Sequence, residues 1–149
     1  MKGLVCKVCG YVALDGNKER CPVCQGKNVF EEKEDAYKMP DFKAASGETE
    51  KKHIPSFMLV RECGLIPGTD CVDVHVKIGE IIHPVLPEHH ITEITFYIDN
   101  KFVENIMLAS SFDINPAAVI HLKGGTKGKV QVIENCNVHG KWFNEAEVK

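Results

Sequence analysis

Nowhere in its 149 residues does the chain hold an apolar run near the roughly 18 residues that a membrane-spanning helix needs. It has no internal repeat, no low-complexity tract and no stretch that sustains the apolar period of a long helix. Excess positive charge is missing too: the formal net charge is −3, which argues against a general nucleic-acid binder. The opening Met-Lys-Gly-Leu-Val-Cys runs at once into a polar, cysteine-rich segment. That leaves no room for the roughly 7–15-residue apolar stretch of a signal peptide, which predicts a cytoplasmic protein without a membrane partner. A hydrophobic content of 44% excludes a disordered chain. What is abundant is metal-binding chemistry, with seven cysteines and seven histidines. In a reducing cytosol, metal ligation explains clustered cysteine better than disulfides do.

Composition divides the chain. Residues 1–30 hold four cysteines, no histidine and a net charge of +3; the remainder is net −6 and holds every histidine. Between them, residues 31–52 (EEKEDAYKMPDFKAASGETEKK) read as a polar linker with a turn of helix, broken by Pro40 and Gly47, and with Phe42 as a surface anchor. From Ile54 the pattern has period two. Val72, Val74, Val76 and Ile78 alternate with polar residues, as do Ile94, Phe96 and Ile98, and Asp99-Asn100 offers a hairpin turn to 102–108. Further strands are expected at 54–61, 117–122, 129–134 and 141–148. About seven short strands with no long helix predict a mainly β protein, a seven-stranded immunoglobulin-like β-sandwich at 53–149 behind a small metal module at 1–30. A closed barrel is the alternative.

The first metal site is C-K-V-C-G-Y (Cys6, Cys9) followed by C-P-V-C-Q-G (Cys21, Cys24). Two such hairpins present four thiolates at tetrahedral corners, which either zinc or a single iron accepts. Gly10 suits the positive φ of the turn, and Pro22 fixes φ inside the second one. A module of about 30 residues cannot bury a sufficient core, so the ion holds it folded. The motif resembles the rubredoxin family and the compact rubredoxin-like module of rubrerythrins. That resemblance implies an iron–tetrathiolate electron-transfer centre, with structural zinc as the alternative.

Three fragments of the larger part carry a second constellation: K-K-H-I-P around His53, H-P-V-L-P-E-H-H-I with His83 and His89, and C-N-V-H-G-K-W with Cys136 and His139. Cys-x-x-His places a thiolate and an imidazole on one turn. Pro84 and Pro87 exclude a helical pairing of His83 with His89 and indicate a stiff loop. Four imidazoles and a thiolate are more than tetrahedral zinc usually takes, and the donor mixture suits redox-active iron.

These fragments resemble the superoxide reductase family, the desulfoferrodoxins and neelaredoxins, across residues from about 50 to 149. The resemblance implies an immunoglobulin-like sandwich and a mononuclear non-haem iron held by His53, His83, His89 and His139 in a plane with Cys136 as axial thiolate. It also implies an open sixth position, and reduction of superoxide to hydrogen peroxide as a defence against oxidative stress. Lys52 matches the family's cation beside the open position. The family's glutamate two residues before the first histidine is replaced by Lys51, with Glu50 one residue early, so the sixth ligand of the oxidised form stays open. Rubredoxin or a similar carrier is the implied electron donor. The adjacent-cysteine module more usual in the family is absent here, and a homo-oligomer, dimer or tetramer, built through the sandwich is expected. A pure electron-transfer protein, a zinc-stabilised interaction module and dismutation of superoxide at the same iron are the competing readings. Of the other residues, His90, His75 and His121 are expected to be structural or solvated, Cys63 and Cys71 to be buried thiols, and Trp142 to pack beneath the loop of Cys136 and His139.

Overall fold

The computed structural model of the chain describes residues 1–41, 47–62, 64–109 and 113–149; Phe42 and Cys63 lie outside the described residues. At the N-terminus, β1 (Gly3–Cys6), β2 (Val12–Ala13) and β3 (Phe30–Lys33) form an antiparallel sheet in the order β2-β1-β3. The stretch expected to be a linker therefore begins inside this sheet. Further along it, α1 (Glu48–His53) starts directly after Gly47, with Glu48 and Glu50 in its first turn and Lys51, Lys52 and His53 in its last. That charge order complements the helix dipole.

Seven strands follow: β4 (Pro55–Glu62), β5 (Asp70–Ile78), β6 (Ile91–Ile98), β7 (Lys101–Met107), β8 (Ala117–Lys123), β9 (Gly128–Cys136) and β10 (Gly140–Val148). Each contains one of the segments whose alternation marked it in the sequence, with ends moved by a few residues. They form two antiparallel sheets, β10-β9-β6-β7 and β4-β5-β8, so the architecture is a sandwich and the barrel alternative falls. Asp99 and Asn100, at φ 47° and 69°, make the tight turn between β6 and β7, both in the left-handed region that such a hairpin requires.

Val72, Val74, Val76, Ile94, Phe96, Val130 and Val132 fill the space between the sheets. The alternate residues of the four-stranded sheet are not solvated, as simple alternation would have them. Tyr97, Ile133 and Phe143 point away from the sandwich core and are buried under the N-terminal sheet, against Val5, Tyr11, Val12 and Ala36. Tyr97 stacks on Tyr11 at 5.9 Å and donates its hydroxyl to the carbonyl of Val12 at 2.6 Å. Lys141 donates its ammonium to the carbonyl of Gly10. The module is thus packed on the outer face of the larger sheet.

Candidate metal centre

Each N-terminal knuckle closes in the same way. Gly10 N–H donates to the carbonyl of Cys6, and Gln25 N–H to that of Cys21, both at 2.9 Å. The residue after each second cysteine is left-handed, Gly10 at φ 84° and Gln25 at φ 66°. The four sulfurs gather within 4.8 Å of one another; Cys6 and Cys24 lie 3.7 Å apart, Cys9 and Cys21 3.5 Å apart. Burial pushes the Cys6 thiol up, but the N–H groups of Cys9 and Val8 outweigh it and bring it down to about 7. Burial raises Cys9 and Cys21. Four thiols this close cannot all ionise without a cation between them, and the donor set fits one tetrahedral ion.

The second cluster is built by three loops at one end of the sandwich. His53 ends α1, His83 and His89 bracket the β5–β6 loop, and Cys136 and His139 flank the β9–β10 turn. Gly79 makes the approach of the first two possible. A Cβ there would meet Lys51 O at 2.5 Å and Lys52 C at 2.8 Å, so only glycine lets this loop press on the backbone of α1. Ile81 N–H then donates to Lys51 O at 3.1 Å, and His83 N–H to Ile78 O at 2.7 Å.

Ligand atoms of His53, His83, His89 and Cys136 all lie within 4.8 Å of one another. His139 joins them: its Nδ1 is 3.2 Å from His89 Nε2 and 3.7 Å from Cys136 Sγ. His53 Nε2 and His83 Nε2 are 3.2 Å apart. The rings form a square in the order 53, 83, 89, 139. Its sides are 4.7, 4.5, 4.9 and 4.7 Å between centroids, with neighbours steeply inclined. The diagonal from His53 to His89 is longer, 6.1 Å, as four rings around one point require.

The far nitrogens of His53 and His83 are occupied. His53 Nδ1 donates to Thr49 O at 2.7 Å and His83 Nδ1 to Pro84 O at 2.8 Å. This sets the tautomer and turns each Nε2 lone pair inward. Burial lowers His53 and His83 to about 4, so both rings are neutral at neutral pH, the form that binds metal. Burial raises the Cys136 thiol, opposed by the N–H groups of His139 and Val138; the former reaches Sγ at 3.4 Å. His53, His83 and Cys136 are buried, while His89 and His139 are partly exposed, so the cluster has a dry side and a wet side. Neutral inward lone pairs and a thiol supplied with hydrogen bonds fit a single transition-metal ion.

Burial, His139 and Lys52 together lower the basicity of His89, and Lys52 forms an ion pair with Glu48 at 2.6 Å. Glu50 lines a separate groove with Lys51, Ile54, Glu80 and Asn144, and the carboxylate next to Lys52 is Glu48, which no sequence motif had singled out. Trp142 stacks on His53, 5.0 Å between centroids. His90 Nδ1 turns away to the carbonyl of Leu86, and His121 Nδ1 to Asp73 at 2.7 Å. His75 sits mid-strand on β5, and Cys71 is buried with Sγ 3.9 Å from Asp73 Oδ1. Lys38 belongs to no motif either, since its contacts lie about a hundred residues away.

A β-sandwich with four imidazoles and one thiol converging at its loop end, and a four-thiol cluster beside it, defines a class of protein built to hold transition metals at two centres. The desulfoferrodoxin family model matches residues 45–145, and the chain belongs to that family. Curated relatives include the superoxide reductases of Pyrococcus abyssi, 36% identical over 66% of this chain and 89% of that protein, and of Pyrococcus furiosus, 32% identical over 66% and 90%. Among solved structures, the reduced superoxide reductase (neelaredoxin) of Archaeoglobus fulgidus is 27% identical, with a TM-score of 0.55 over 76% of this chain and 98% of that one. The superoxide reductase of Nanoarchaeum equitans is 26% identical, with a TM-score of 0.53 over 66% and 94%.

Proposed function

We propose that the chain is a superoxide reductase: superoxide, one electron and two protons become hydrogen peroxide at a mononuclear non-haem iron held by His53, His83, His89, His139 and Cys136. The observation that carries this reading is the square of four imidazoles, dry beside the thiol and wet at His89 and His139. Iron bound there supplies the electron to superoxide, while solvent on the wet side supplies the protons. Cys136, once deprotonated, would hold the ion as its charge-donating ligand, and the His139 N–H at 3.4 Å would set how much charge it gives.

Capture of a small anion by a chain of net charge −3 calls for local positive charge. Lys52 provides it next to His89, and Glu48 offsets part of it. Glu50 faces a separate groove, which favours a mechanism without its carboxylate. The cysteine module, residues 1–30, holds iron or zinc; with iron it relays electrons from rubredoxin or a similar carrier. Residues 53–149 are the reductase domain, working in the cytoplasm as a homo-oligomer. Among the described residues no helix is long and apolar enough to cross a membrane.

Pulse radiolysis of the ferrous protein tests the reaction. Superoxide should oxidise the centre and yield peroxide without dioxygen. Release of dioxygen would instead assign dismutation, and an inert ferrous centre would leave electron transfer alone. His89→Ala should abolish the centre. Lys52→Ala should slow the first step and weaken its dependence on salt.

A further inference from the structure

Lys38 reaches the four-histidine cluster from outside the loops that build it. Lys38 lies outside the residues matched by the family model, in the strap that follows the cysteine module. The strap is held at both ends. The N-terminal ammonium donates to Tyr37 O at 2.7 Å, and Ala36 N–H donates to Met1 O at 2.9 Å, which ties the strap to the start of the module. Lys38 N–H donates to Lys141 O and Phe143 N–H to Lys38 O, both at 2.9 Å, so the strap adds one residue to the free edge of β10.

This places the Lys38 ammonium 3.1 Å from the carbonyl of His139 and 4.6 Å from the centroid of Trp142. The indole is parallel to the ring of His53 within 26°. One side chain from the strap therefore touches two of the five converging residues, one through a carbonyl and one through an aromatic stack. The same turn carries the thiol, since His139 N–H lies 3.4 Å from Cys136 Sγ, and the buried Glu134 faces Trp142 across β9 and β10.

We propose that Lys38 is a positioning and charge-setting residue of the four-histidine centre, so that packing of the cysteine module raises that centre's affinity for an electron. The inference rests on the proposed function. A fixed positive charge on the turn that carries Cys136 and His139 favours the reduced ion, which carries one positive charge fewer. The cation over Trp142 and the indole against His53 hold that ring in place. A reductase domain without the strap keeps the indole and lacks the cation.

The full chain, loaded with iron, is compared with Lys38→Met and Lys38→Arg. Spectroelectrochemistry of the thiolate-to-iron absorption should place Lys38→Met at lower potential. At a fixed potential its ferric-to-ferrous ratio should rise about two- to threefold, as expected for one charge removed at a partly solvated distance. Lys38→Arg should stay with the wild type. Trp142 is the only tryptophan, so its emission in the metal-free protein reports the same contact, and it should change in Lys38→Met alone. A normal wild-type centre with an unshifted Lys38→Met potential overturns the role of Lys38 and leaves the reductase reading standing. That role falls equally if Lys38→Arg behaves as Lys38→Met or if the emission is indifferent to both. A wild type that forms no thiolate–iron absorption overturns the functional reading, and this one with it.

Discussion

His53 and His83 show what burial does to an imidazole. Each donates one ring N–H to a backbone carbonyl and keeps the other nitrogen bare beside its neighbour. Their folded pKa values are lowered to about 4, whereas an unfolded histidine titrates near 6.5. Between those values the unfolded chain takes up protons that the folded one refuses, so stability falls as pH drops from about 6.5 toward 4, by about 1.4 kcal/mol per unit of displacement. Denaturant titrations of the metal-free chain should show that decline, and His83→Gln should flatten it; parallel slopes would sink the account. Glu134 has the opposite sign. Both carboxylate oxygens are buried without a hydrogen bond among the described residues, and burial raises its pKa well above the usual value. Its unfolded form ionises near 4.5, so stability is lost as pH rises above that point. Glu134→Gln should therefore be more stable than the wild type at pH 7 and less so by comparison at pH 4. Glu48 restrains Lys52 at 2.6 Å, and Glu48→Gln should speed superoxide capture at low salt, with the gain shrinking as salt is added.

Among the elements, the seven strands of the sandwich were legible because a strand buried on one face writes its burial into every second residue. The helix α1 was legible only as a turn, since six residues hold too little periodicity to mark a helix. The contact between α1 and the β5–β6 loop could not be read at all. It depends on a missing Cβ at Gly79, and glycine is common in loops wherever the chain merely turns. Gly79→Ala should cost about 1–3 kcal/mol by overpacking and should lower metal content, because α1 carries His53. Gly64→Ala, where a Cβ meets nothing within 4 Å, serves as the control and should be near neutral.

At the scale of the whole molecule, the module and the sandwich share a second core. Tyr97 alternates with core residues along β6, so by pattern it belongs to a solvated face; in the fold it is fully buried beneath Tyr11 and Val12. Tyr97→Phe would leave the Val12 carbonyl unpaired at a dry interface, a loss of about 1–3 kcal/mol. Calorimetry should then show the module loosening ahead of the sandwich, where the wild type melts in one transition. Two transitions in the wild type would mean that this interface does not couple them.

By itself the sequence determined which donors are available and how the chain is cut into strands, because both are local. Spacing of two or three residues places ligands on one turn, and alternation places side chains on one face. Only the tertiary structure decided which nitrogen of each histidine turns inward, that Glu48 rather than Glu50 meets Lys52, and that Lys38 reaches His139 and Trp142. The contacts of Lys38, like those of Tyr97, join residues about a hundred positions apart or nearly so. They follow from sheet order and from which face the module covers, and no local pattern encodes either.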